Sequence, residues 1–231
     1  MYTLHIGNKN YSSWSLRPWV LLKTLDIAFE ERLHRFPDDG PSYPEFRSFS
    51  PTGLVPVLED DGVAVWESLA IVEYLAERNK GVWPEDARAR AWGRSAIAEM
   101  HAGFSSLRNI CGMNCGIRVT LPGLPNGLKR DLARLEELWG DGFARFGGPF
   151  LTGPHFTAAD AFFCPVAFRV QTYGLPLSTA AASYVQRLLA LPAMRDWYEA
   201  ALKEDFREPD HENEHIAAGE WTADYRVPAR S

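Results

Sequence analysis

The first third of the chain alternates between strand-like and helix-like spacing of its hydrophobic positions. Tyr2 to Ile6 alternates weakly and stops at Gly7-Asn8, which predicts a strand. From Ser15 to Leu25, the residues Leu16, Trp19, Val20 and Leu22 fall on one helical face, with Pro18 in the first turn, where a missing N–H costs nothing. Phe29 to Phe36 alternates again and predicts a second strand, parallel to the first if the helix is its crossover. Asp38 to Pro51 reads as loop with one helical turn at Tyr43 to Phe49. Val57-Leu58-Glu59 and Val63 to Trp66 flank Asp60-Asp61-Gly62, a hairpin signal. Glu67-Ser68 then opens a helix that buries Leu69, Ile71, Val72, Tyr74 and Leu75 and stops near Asn79-Lys80-Gly81.

A βαβ unit followed by a hairpin and a helix describes a thioredoxin-like domain. The pattern changes after Gly81-Val82-Trp83-Pro84, and no convincing strand follows Ala87. Arg88 to Leu107 predicts a long helix, Leu128 to Phe146 another, and Tyr184 to Leu191 and Ala193 to Leu202 two more, split by Pro192. Thr157 with Asp160 three residues on has the form of a capping box, with Phe156 placed as its staple. The expected fold is an α/β thioredoxin-like N-terminal domain over 1–80 and an all-α domain over 87–208. Residues 209–231 are expected to form a loose polar tail.

Composition narrows this picture without redirecting it. The chain has 231 residues, 46% hydrophobic and 23% charged, an ordinary globular balance. A net charge of −6 with scattered Lys and Arg excludes a nucleic-acid partner, and no apolar run reaches bilayer length, so no membrane partner is expected. The start, Met1 to Gly7, has neither the basic residues nor the apolar run of a signal peptide. Cys111, Cys115 and Cys164 make no disulfide framework, so a reducing cytoplasm is the expected compartment.

The candidate chemistry sits in three short stretches. Tyr11-Ser12-Ser13-Trp14-Ser15-Leu16-Arg17-Pro18 is a hydroxyl-rich turn at a helix start, where free N–H groups and the helix dipole favour an anion. Ser50-Pro51-Thr52-Gly53-Leu54-Val55-Pro56-Val57-Leu58 enters a strand through Val55-Pro56, whose turn can present backbone to an extended peptide. Trp66-Glu67-Ser68-Leu69-Ala70-Ile71 puts Glu67 and Ser68 at another helix start. Each has a plainer reading. Ser12, Ser13 and Ser68 could be ordinary caps, Arg17 a structural cation covering the site or paired with a carboxylate, and Cys111 and Cys115 idle thiols on a helix. Asp210 to His215 has metal-binding residue types, but no metal site is expected there or elsewhere.

Together these stretches resemble the cytosolic glutathione transferases over nearly the whole chain up to the tail. Ser12 to Arg17 resembles the Ser-Ser-Cys-Ser-x-Arg signature of the zeta class, with Trp14 in place of cysteine. Ser50 to Leu58 resembles the family's Asn-Pro-x-x-x-Val-Pro-x-Leu, and Phe156 to Phe163 its capping motif. The resemblance implies glutathione as co-substrate, a cis Pro56, Val55 pairing with the cysteinyl backbone, and Glu67 and Ser68 holding the γ-glutamyl end. It implies a serine hydroxyl that favours the thiolate, Ser12 ahead of Ser13, with Tyr11 third. It implies a homodimer through the helix after Glu67 and the one after Ala87. It also implies a pocket for a small hydrophobic electrophile near Met100, Phe104, Leu107 and Arg108. The activity implied is transfer of glutathione to that electrophile. A zeta-type cis-trans isomerase (maleylacetoacetate isomerase) and a non-catalytic binding protein are the alternatives.

Overall fold

The computed structural model describes residues 1–36 and 44–228. The start of the helical turn expected from Tyr43 lies outside the described residues; Pro44–Ser48 is a 3₁₀ turn.

Strand β1 (Tyr2–Ile6) leads into helix α1 (Ser13–Thr24), which returns to β2 (Phe29–Leu33). Strands β3 (Val57–Asp60) and β4 (Val63–Trp66) form the hairpin, and α2 (Ser68–Ala76) closes the unit. The sheet has four strands in the order β2-β1-β3-β4. β1 pairs parallel to β2 with Tyr2 opposite Phe29, and antiparallel to β3 with Leu4 opposite Leu58. The hairpin turns on Asp61 and Gly62, both at positive φ, the conformation an Asp-Gly pair tolerates best. Thus the crossover and the hairpin expected from the sequence are both present.

The chain after Ala87 is helical, with α3 (Ala87–Ala102), α4 (Ser105–Ile110), α5 (Asn126–Phe146), α6 (Ala158–Ala161), α7 (Cys164–Tyr173), α8 (Thr179–Leu189) and α9 (Pro192–Leu202). Four expectations need correction. The helix expected over Arg88 to Leu107 breaks at Gly103-Phe104, where Phe104 is left-handed (φ 54°) and starts the separate α4. Helix α7, which the pattern did not separate, carries Cys164 and Arg169. A two-stranded ribbon interrupts the helices, with β5 (Ile117–Thr120) pairing antiparallel to β6 (Glu220–Asp224). And 209–228 is not a loose tail: α10 (Pro209–Ala218) and β6 fold back against the α1 turn.

Polar groups hold that segment. The Arg226 guanidinium, its side chain 1% exposed, bridges Glu212 at 2.6 Å and Asp224 at 2.7 Å. Glu212 accepts a 2.7 Å hydrogen bond from the Tyr11 hydroxyl. His215 is buried, with Nδ1 3.0 Å from the Tyr173 hydroxyl.

Helix α1 positions everything else. Its residues Ser15 to Leu22 are buried between the sheet and helices α6, α7 and α9. One continuous apolar core runs from Leu4 and Ile6 through α1 to Trp139, Phe162 and Trp197. The loop before α1 is latched to the helical part. Trp197 Nε1 donates to the Lys9 carbonyl at 2.8 Å, and Asn10 Nδ2 donates to the Ala201 carbonyl at 2.6 Å. The expected capping box is present: Asp160 accepts from the Thr157 N–H at 3.0 Å, and also from the Leu151 N–H and Tyr184 hydroxyl, each at 2.9 Å. Burial lifts its carboxyl to about 6.

Candidate functional site

A cavity of about 460 Å³ opens where the α1 turn, the loop before β3, the start of α2 and the helical part meet. That volume suits a small-molecule ligand. It is lined by Ser12, Ser13 and Trp14 from the first, Val55 and Pro56 from the second, and Glu67 from the third. Three stretches far apart in sequence therefore face one space.

Ser12 is the N-cap of α1. Its Oγ accepts from the Ser15 N–H at 3.4 Å and lies 2.7 Å from Ser15 Oγ, to which it donates. Ser15 Oγ in turn accepts from the Gly7 N–H at 3.1 Å. Ser12 is thus the outer member of a short hydroxyl chain anchored on β1. Ser13, the first helical residue, lies with its Oγ 3.4 Å from Arg169 Nη2. Tyr11, by contrast, is committed elsewhere. It donates to Glu212 and accepts from Arg226 Nη1 at 3.3 Å, and burial, with the Glu212 charge, holds its phenol far above the usual range.

The Val55-Pro56 peptide is cis, as the resemblance implied. The loop is shaped by Ser50, whose Oγ donates to the Leu54 carbonyl at 2.7 Å and accepts from the Leu54 N–H at 3.1 Å. Among the described residues nothing bonds the Val55 N–H or carbonyl, so this backbone is available to a ligand. Glu67 precedes α2 at φ 68°, a left-handed conformation that costs energy for a side chain other than glycine and concentrates at functional sites. Its carboxylate is half exposed toward the cavity, 3.8 Å from His101 Nε2. Ser68 is fully buried one residue behind the lining, and its Oγ accepts from Arg17 Nη1 at 3.5 Å. The structure therefore brings five of the six expected residues to the cavity wall and sets Ser68 just behind it.

The helical part completes the wall differently from expectation. Met100, Phe104 and Leu107 are buried in the core and do not line the cavity. Its lining there is His101, Arg108, Gly112, Met113 and Arg169, with His211 and Glu214 from α10. Arg17 and Arg169 are both at least nine-tenths buried, and among the described residues neither is ion-paired with a carboxylate. Of the two structural roles expected of Arg17, the carboxylate pairing is not present among the described residues; its guanidinium lies 4.1 Å from the Trp14 ring centre, and that of Arg108 lies 4.7 Å from it. Burial and mutual repulsion hold the Arg17 guanidinium well below its ordinary value, and burial brings Arg169 down to about 10. Burial lowers His101 as well, helped by Arg17.

The cysteines do not join the site chemistry. Cys111 caps α4 rather than lying within a helix, and burial pushes its thiol up to about 12. Among the described residues no cluster of His, Cys, Asp and Glu could hold a metal ion, and no helix is long and apolar enough to cross a membrane.

Both parts of the chain match known family models. The model for "Glutathione S-transferase, N-terminal domain" matches residues 11–78, and that for "Glutathione S-transferase, C-terminal domain" matches 119–200. Over 189 residues the sequence is 26% identical to maleylacetoacetate isomerase of Rattus norvegicus, covering 79% of this chain and 85% of that one. It is 31% identical over 154 residues to glutathione S-transferase theta-1 of Homo sapiens, covering 62% of each. The fold superposes on human glutathione-S-transferase T1-1 with a TM-score of 0.65 at 24% identity, covering 94% of this chain and 97% of that one. It superposes on a Burkholderia glutathione transferase homolog solved with bound glutathione with a TM-score of 0.63 at 23% identity, covering 87% and 97%.

Proposed function

Because the chain belongs to the glutathione S-transferase family, we propose that it binds glutathione in this cavity and transfers it to an electrophile. The observation that carries the reading is the meeting of the Ser12–Ser13 turn, the cis Val55-Pro56 loop and Glu67 on one cavity wall. In this reading the Val55 backbone pairs with the cysteinyl residue. Glu67 accepts from the α-ammonium, and the start of α2 at Ser68 faces the γ-glutamyl carboxylate, with Arg17 behind it. Residues 1–80 hold glutathione and 87–208 face the electrophile. A cytoplasmic homodimer through α2 and α3 belongs to the same reading.

The chemistry follows from the hydroxyl chain. Glutathione's thiol gives its proton to water and keeps the electron pair on sulfur. Ser12 donates to that sulfur. To do so it turns its proton away from Ser15, and Ser15 donates to Ser12 in return. The 2.7 Å Ser12–Ser15 bond survives with its direction reversed, and the Gly7 N–H still supports Ser15. The N-terminus of α1 adds its dipole. Stabilising the thiolate matters because the thiolate, not the thiol, attacks.

The test is retention on a glutathione resin together with conjugation of 1-chloro-2,4-dinitrobenzene. The reading expects both, with Ser12→Ala losing roughly 100-fold in kcat, the scale of one lost oxyanion-type donor. A chain that neither binds the resin nor turns over the aryl halide defeats it.

A further inference from the structure

The C-terminal segment brings a titratable pair to the cavity beside the α1 turn. Glu208 is the N-cap of α10 and is buried, 3% exposed. Its Oε2 accepts from the His211 backbone N–H at 2.6 Å and lies 2.5 Å from His211 Nδ1. Capping the helix needs only the first of these bonds. The second ties down a ring that lines the cavity. That ring stacks on Phe36 at 5.6 Å, and on Tyr11, the residue before Ser12, at 5.1 Å between centres. Neither glutathione binding nor the Ser12 hydroxyl chain uses it.

A carboxylate has no proton to give, so Nδ1 is the donor of the pair and the lone pair of the neutral ring lies on Nε2. Among the described residues Nε2 makes no hydrogen bond, and the side chain is 30% exposed. An imidazole held at one nitrogen by a buried carboxylate and open at the other can accept a proton and stabilise the cation that results. The titratable groups about the ring are Glu208, Tyr11 and His215, with Glu214 lining the same cavity. Tyr11 is engaged with Glu212 and Arg226, and the His215 ring is buried against Tyr173. The cavity's second imidazole, His101, is worse placed to take a proton. Arg17 and Arg108 face it, and its carboxylate neighbour, Glu67, is half exposed and 3.8 Å away.

Resting on the glutathione reading, we infer that His211, held by Glu208, takes the proton of the glutathione thiol through one water and keeps it beside the thiolate as an imidazolium. A general base acting through a single water is within the reach of such chemistry. The S–H bond breaks with its electron pair left on sulfur. The water that receives the proton passes one of its own to His211 Nε2, where the new N–H bond forms. Glu208 remains a carboxylate and orients the ring, a positioning role. No oxidation occurs and no co-reactant is needed. The imidazolium returns its proton to bulk water when the conjugate leaves. Ser12 still donates to the sulfur, so the hydroxyl stabilises the anion while His211 holds the proton. Helix α10 thereby contributes to the thiol chemistry, and its docking against the α1 turn completes the site.

The test counts the protons released per thiolate formed when glutathione binds the full chain at about pH 7.5. Thiolate is read by its ultraviolet absorbance, and protons by titration calorimetry in buffers of differing ionisation enthalpy. The expected ratio is about 0.2 or less in the parent and about 1 in His211→Gln, where the proton passes to the buffer. Glu208→Gln keeps the ring but not its carboxylate, and should move the ratio most of the way to about 1. A parent ratio of about 1 overturns the inference with glutathione binding intact, and needs no variant to fold. So does a ratio that stays low in His211→Gln, or one that rises in Glu214→Gln instead, which would give the proton to Glu214. Binding without thiolate formation also overturns it, since no proton is then displaced. Absence of glutathione binding defeats the glutathione reading, and this inference with it.

Discussion

Acidification from about pH 7.5 to about pH 5 should loosen the docking of α10 and β6 while the rest of the chain keeps its protection. The responsible group is His215. Its ring is buried, with Nδ1 on the Tyr173 hydroxyl and Nε2 without a partner. It lies against Gly112 and near the Tyr11 ring, and the charges facing it are His211, Arg169 and Arg226. Burial first, then these neighbours, hold it at about 3 instead of 6.5. The docked segment therefore binds fewer protons than the released one throughout that window. Its stability is fully present above about 6.5 and declines by roughly 1.4 kcal/mol per pH unit as the pH falls toward 3. At about pH 5 the loss is roughly 2 kcal/mol, which raises the open population about thirtyfold. Hydrogen exchange read by mass spectrometry, corrected for the intrinsic pH dependence, should show faster exchange in peptides from 209–224 and unchanged protection in α1 and α5. In His215→Gln the pH dependence of that protection should vanish. Equal loosening of all helices, or an unaltered pH response in His215→Gln, would exclude His215 as the responsible group.

Three further outcomes follow from the same contacts. Arg226→Gln leaves Glu212 without its cation beside the Tyr11 hydroxyl and should weaken docking of the segment by about 3 kcal/mol, seen as protease cleavage within 203–228 at neutral pH. Asp160→Asn replaces an acceptor of the Leu151, Thr157 and Tyr184 hydrogen bonds with a group that is half donor. It should cost about 3 kcal/mol, a fall in Tm of roughly 6 to 12 °C by calorimetry. Ser15→Ala removes the support of Ser12 and should raise the pKa of bound glutathione by about half a unit with little change in its Kd, measured by thiolate absorbance and by titration calorimetry.

Local signals in the chain were sufficient where the structure is local. The hairpin was legible because Asp61-Gly62 needs only its own backbone, and the capping box because Thr157 and Asp160 are a turn apart. The β5–β6 ribbon was not, since Ile117–Thr120 is too short to declare itself and its partner lies a hundred positions on, at Glu220–Asp224. The C-terminal segment looked unstructured because Glu212 and Arg226 are polar in sequence and become structural only by meeting each other and Tyr11. The break before α4 rests on a left-handed Phe104, a conformation its side chain does not advertise. For the site, the glutathione-facing stretches were readable as motifs, whereas the opposite wall was not. Arg169 did leave a trace, the only charged residue in the ten-residue helix Cys164–Tyr173.

The most direct test of the account is the thiol pKa of glutathione bound to the parent protein, Ser12→Ala and Ser13→Ala, followed by thiolate absorbance near 240 nm across a pH series. A free cysteinyl thiol titrates near 8.5. The parent is expected to lower it by about 2 units, with Ser12→Ala returning it most of the way and Ser13→Ala leaving most of the depression in place. Bound glutathione with an unshifted thiol, or a shift that survives Ser12→Ala intact, would contradict it.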